Sequence, residues 1–169
     1  MIEHLKSLIL EKYLEFRFRK INNSEELYDF PKMIQNVKHI FVILSAGRDL
    51  EKENQEFLSS LYKVFGDVRI STFERSTLRK EDMNRLGVPN DQYLKNIQDE
   101  KFDLVIDLNV KQDKICSYLT ALSGAPMRMN LISGRYDHIY NLHIRGGREV
   151  TPTYQFGNIL TYLKSLRQK

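Results

Sequence analysis

The chain has 169 residues, with 26 Lys and Arg against 22 Asp and Glu, one cysteine, no tryptophan, and nine each of Phe and Tyr. This length is one domain with room for a real core, and a 41% hydrophobic content excludes a wholly disordered chain. A lone Cys116 excludes a disulfide framework or a thiolate zinc cluster and predicts a reduced, cytoplasmic protein. No apolar run reaches the roughly 18 residues that span a bilayer. Glu3, Lys6, Glu11, Lys12 and Glu15 stand where a signal peptide needs an apolar stretch. The net charge of +4 belongs to the two ends: residues 1–20 carry five basic groups against three acidic, and residues 144–169 five against one. So mild a balance argues against a nucleic-acid binder.

An amphipathic helix is predicted over 2–19, because Ile2, Leu5, Leu8, Ile9, Tyr13 and Phe16 recur at three- and four-residue steps. Asn22, Asn23 and Ser24 end it, and the stretch to Asn36, with Pro31, reads as a connection holding at most a short helical turn. These first 37 residues precede the α/β domain proper, 38–169. His39 to Leu44 is a continuous apolar and β-branched run, as in a strand buried on both faces, and Ser45-Ala46-Gly47 turns out of it. A helix follows over 49–64, then a strand over 68–73. Asn90 or Asp91 caps a short helix running to Gln98. Phe102 to Leu108 is the clearest strand, with Asp103 an edge or capping acid near its start and Asp107 near its end. A helix is predicted over 113–122, with Cys116 a buried, inert thiol beside inward-facing Ile115. Strands over 127–132 and 139–144 and a helix over 154–166 complete the chain.

Strands alternating with helical segments imply βαβ units and a mostly parallel sheet, hence a single three-layer Rossmann-like α/β domain with an added N-terminal amphipathic helix. In such a sheet, ligands bind at the carboxyl ends of the strands. Ser45, Gly47, Arg48 and Asp49 leave the first strand there, Arg75 the second, Asp107 and Asn109 the third, and Arg135 the fourth. These residues form the candidate site, with the arginines suited to an anion such as phosphate. The dinucleotide fingerprint, the P-loop and the nucleophile elbow are all missing from the sequence. His138 and His143 lack the spacing of a metal pair. No cofactor and no metal are therefore expected.

Phe102-Asp103-Leu104-Val105-Ile106-Asp107-Leu108, followed by a helix and then by Leu122-Ser123-Gly124-Ala125-Pro126-Met127-Arg128, resembles the bacterial heptosyltransferase-like glycosyltransferases. There this pattern closes the N-terminal, acceptor-side Rossmann-like domain of a two-domain GT-B fold. Leu44-Ser45-Ala46-Gly47-Arg48-Asp49 is similar to the family's first turn, and the resemblance makes Asp49 the acid implicated as base. The sequence departs from the family at Arg48, at Asn54-Gln55 and at Asn130, where the family has glycine, Thr-Pro and glycine. A chain ending at Lys169 has no room for the domain that holds the nucleotide-sugar donor. The expectation is a stand-alone half, non-catalytic on its own, that binds a protein partner or a second copy through its N-terminal helix. One alternative is a sugar- or phosphate-binding protein, or a transferase-like enzyme, using the strand-end loops. Another is contact with nucleic acid or an anionic membrane through the basic ends.

Overall fold

The computed structural model describes residues 2–19, 21, 28–145 and 151–168. Asn22, Asn23, Ser24 and Lys169 and the side chains of Ile2, Glu3 and Arg48, all named above, lie outside what is described, as do Lys20 and Arg148 of the basic ends. Among the described residues six α-helices, α1 (Ile2–Phe18), α2 (Phe30–Gln35), α3 (Glu51–Phe65), α4 (Asp91–Asp99), α5 (Lys114–Leu122) and α6 (Pro152–Arg167), accompany five strands. The strands are β1 (His39–Ile43), β2 (Arg69–Phe73), β3 (Leu104–Asp107), β4 (Met127–Asn130) and β5 (Leu142–His143). They form one parallel sheet in the order β2-β1-β3-β4-β5.

Successive side chains of a strand point to opposite faces, and this alternation sorts the core into two layers. Phe41, Ile43 and Val105 join Leu14 and Phe18 of α1, Leu94 of α4, and Ile115, Tyr118 and Leu119 of α5. Ile40, Val42, Leu104, Ile106, Met127 and Met129 join Ile34 of α2, Phe57, Leu61 and Phe65 of α3, and Phe156, Ile159 and Leu163 of α6. The chain is thus a three-layer, Rossmann-like α/β domain with the sheet in the middle. Asp103 serves as the capping acid expected of it: its Oδ2 accepts the backbone N–H groups of Lys38 and His39, both at 2.8 Å.

Three local expectations are corrected. Leu5, Leu8, Ile9 and Phe16 are exposed, and α1 instead buries Leu14 and Phe18, with Leu10 and Tyr13 packed beside them. The connection before β1 contains a full helix, α2, because Asp29 accepts the Lys32 N–H as an N-cap and Pro31 falls in the first turn, where its missing N–H costs nothing. The strand expected over 139–144 shrinks to Leu142–His143. Ahead of it Asp137–Ile139 form a 3₁₀ turn, whose Ile139 carbonyl accepts the buried Arg128 Nε at 2.6 Å in place of a ladder amide.

Candidate functional site at the β1/β3 crossover

The order of the sheet reverses between β1 and β3, so the loops leaving these strands diverge and open a crevice. Both loops are pinned from below. Asn54 of α3 accepts the Ser45 N–H (3.2 Å) and donates its Nδ2 to the Ser45 carbonyl (3.0 Å). Asn109 Oδ1 accepts the Ala46 N–H at 3.4 Å, which ties the first loop to the second. Asn109 in turn donates from its backbone N (3.1 Å) and its Nδ2 (2.8 Å) to Asp107 Oδ1. The Tyr140 hydroxyl donates to Asp107 Oδ2 at 2.7 Å and lies 3.3 Å from Ser117 Oγ.

Asp107 is therefore a buried keystone, with both carboxylate oxygens occupied. Burial pushes its carboxyl above the usual range, against the hydrogen bonds from Tyr140 and Asn109. Burial also lifts the Tyr140 phenol well above its ordinary value, so it remains an O–H donor.

Two lobes flank the Ser45–Leu50 turn, one over the β1/β3 crossover and one toward α3 and the loop after β2. The larger, about 650 Å³, is lined by Leu44, Ser45, Gly47, Glu51, Gln55 and Glu74 among others. The smaller, about 350 Å³, is lined by Ser45, Asp49, Arg75, Asn109, Lys111, Gln112 and Asp113 among others. Ser45 belongs to both and is only 2% exposed, and its Oγ has no hydrogen-bond partner among the described residues. Gln112 Nε2 is a second buried polar atom there with no partner among the described residues. The other end of that amide accepts the Tyr136 N–H at 3.2 Å, and a Cβ at Gly134 would fall within 2.7 Å of Nε2, so the glycine makes room for Gln112. Buried polar groups left without a partner are costly, which marks both atoms as places where a polar ligand gains.

Of the residues singled out from the sequence, Ser45, Asp49, Arg75 and Asn109 meet around the smaller lobe, and Gly47 lines the larger. Asp49 is exposed on a 3₁₀ turn, Arg48–Leu50, one turn before α3. Arg75 Nε is 3.8 Å from Asp113, the residue whose Oδ1 caps α5 by accepting the Ile115 and Cys116 N–H groups. Arg135 lies elsewhere, clamped to Glu11 (2.9 Å) and Glu15 (2.6 Å) of α1. Sequence reasoning missed Lys111, Gln112 and Asp113. The signal was there in the polar run that follows the clearest strand.

Cys116 is buried behind this lobe, and burial, reinforced by Asp107 and Asp113, pushes its thiol far above the range in which a thiolate forms. Ellman's reagent at pH 8 is expected to leave the native protein unlabelled and to titrate one thiol once urea unfolds it. Rapid labelling of the native protein would contradict this placement. Among the described residues, no three His, Cys, Asp or Glu side chains gather to hold a metal ion, and no helix is long and apolar enough to cross a membrane.

No curated protein matches the chain. A family model described as a family of unknown function matches residues 6–166, nearly the whole chain. The chain therefore belongs to that family, DUF6913.

Proposed function

We propose that this protein is a bacterial, cytoplasmic binding domain, related to the acceptor-side half of heptosyltransferase-like enzymes, that holds a neutral sugar in the β1/β3 crevice without transferring it alone. The observation that carries this reading is the unpartnered Ser45 Oγ, a buried hydroxyl shared by both lobes. The lining supports an uncharged, hydroxyl-rich ligand over a phosphate. Among the described lining residues, Arg75 and Lys111 are matched by Asp49 and Asp113 in the smaller lobe, and Glu51 and Glu74 disfavour anions in the larger. Leu44 and Leu58 offer an apolar wall for the C–H face of a ring. Chemistry is weakly provided for: Asp107 has no free oxygen, the Cys116 thiol is held protonated, and Asp49 is exposed on the rim.

Thermal shift and calorimetry against neutral hexoses and heptoses, their phosphates, and inorganic phosphate alone test the reading. A neutral sugar at a hundred times its Kd is expected to add about 2.7 kcal/mol of stability. Ser45→Ala is expected to weaken that sugar roughly tenfold, the worth of one buried hydrogen bond. Stabilisation by inorganic phosphate alone, or by nothing in the panel, would sink the sugar reading. Product formed from a nucleotide sugar by the isolated chain would sink the non-catalytic part.

A further inference from the structure

Helix α1 carries apolar residues on two opposite arcs. At about 100° per residue, Leu10, Leu14 and Phe18 fall on the arc that meets the sheet, while Leu5, Leu8, Ile9 and Phe16 fall on the arc facing away. The outer four are 59%, 47%, 47% and 58% exposed. The charged residues sort in the same way. Glu11 and Glu15 turn toward the protein, where Lys114 and Arg135 neutralise them at 3.1, 2.9 and 2.6 Å. Arg17 bends back to the Tyr13 hydroxyl (3.0 Å) and Asp91 (3.4 Å). Lys12 lies within the outer arc with its side chain 84% exposed, touching Glu15 at 3.5 Å, and Arg19 is exposed at the end of the helix. The outer arc of the described helix thus presents leucine, isoleucine and phenylalanine interleaved with Lys12 and Arg19, and the one acid at its border, Glu15, is shared between Arg135 and Lys12.

We propose that this arc docks the domain on an anionic lipid surface, Leu5, Leu8, Ile9 and Phe16 entering the interface and Lys12 and Arg19 meeting the headgroups. An interfacial helix lies along the membrane plane with an apolar strip bordered by lysine and arginine, which is this arrangement. The proposal is independent of what occupies the crevice. A second copy fits less well on two counts. The strip is four side chains, each only about half exposed, along roughly 17 Å of helix at 1.5 Å per residue, too short by itself for the ~800 Å² of accessible surface per partner of a stable interface. A two-fold antiparallel pairing of the strip also brings Lys12 of one copy toward Lys12 of the other. Nucleic acid would use the cations and leave the apolar residues unexplained.

The test is co-sedimentation of the full chain with vesicles of phosphatidylcholine alone and of phosphatidylcholine mixed with phosphatidylglycerol, alongside the native mass. The expected result is a monomer that binds the anionic vesicles roughly tenfold or more better than the neutral ones, and less well as salt rises. The double substitution Leu8→Ser, Ile9→Ser, at exposed positions, should abolish sedimentation without lowering the melting temperature. Lys12→Glu should weaken it roughly tenfold. No binding, equal binding to both vesicles, or full binding by the serine variant would overturn the proposal. So would a native dimer that the serine variant splits, which would assign the strip to a second copy.

Discussion

Replacing Asp107 by alanine is expected to lower stability by about 3–5 kcal/mol, because it strands several buried polar groups at once. The Tyr140 hydroxyl, the Asn109 amide and the Asn109 backbone N–H all lose the acceptor they now share. Asn109 then loses its orientation, and with it the acceptor for the Ala46 N–H that joins the two loops of the crevice. Asparagine at the same position is a gentler and more informative change. Its oxygen still accepts from Asn109, and its amide can donate to the Tyr140 oxygen if that hydroxyl turns to Ser117.

The sign of the pH dependence follows from the burial of the carboxyl. The folded protein raises the Asp107 carboxyl above its ordinary value of 3.8, so the native state holds a proton that the unfolded chain releases. Stability from this group is full below 3.8 and falls as pH rises toward the folded value. The Asp107→Asn protein lacks that loss. Its stability relative to the parent should climb with pH above about 4 and then level off. Urea titrations of both proteins from pH 3 to 8 measure the difference directly. A difference that is flat with pH, or that falls, would mean that Asp107 is not desolvated as described.

The sequence made the sheet legible because its central strands are buried on both faces. Ile40–Ile43 and Leu104–Ile106 read as unbroken apolar runs, as in strands covered on both faces. The placement of a site at the strand ends follows from topology, so Ser45, Asp49, Arg75 and Asn109 could be nominated without knowing any side-chain direction. Arg135 could not be placed that way. Its partners Glu11 and Glu15 are more than a hundred residues distant, and nothing local to Gly134-Arg135-Tyr136 announces a clamp on α1. Position alone makes Asp107 a candidate ligand, but its role depends on Tyr140, whose reach back to β3 comes from a 3₁₀ turn that apolar periodicity presents as strand.

Helix α1 exposes the limit of periodicity most clearly, and it supplies the second large prediction. Two phenylalanines stand two residues apart on it. Phe18 is 3% exposed and meets Tyr136 edge-on at 5.4 Å and Tyr118 at 6.5 Å, while Phe16 is 58% exposed on the opposite arc. A helical wheel with apolar residues on both arcs satisfies the three-and-four rule twice, and the rule does not say which arc faces the sheet. The energetics do. Phe18→Ala is expected to cost about 3–5 kcal/mol, because it empties a site walled by tyrosines and by Leu14 that cannot fully collapse. Phe16→Ala should cost less, about 1 kcal/mol, since more than half of its surface stays in water on folding. Denaturant unfolding of the two variants reads the difference, and hydrogen exchange should show α1 losing protection only in Phe18→Ala. Equal losses in both would mean that α1 packs through the other arc, and the outward strip on which membrane docking depends would then be its buried face.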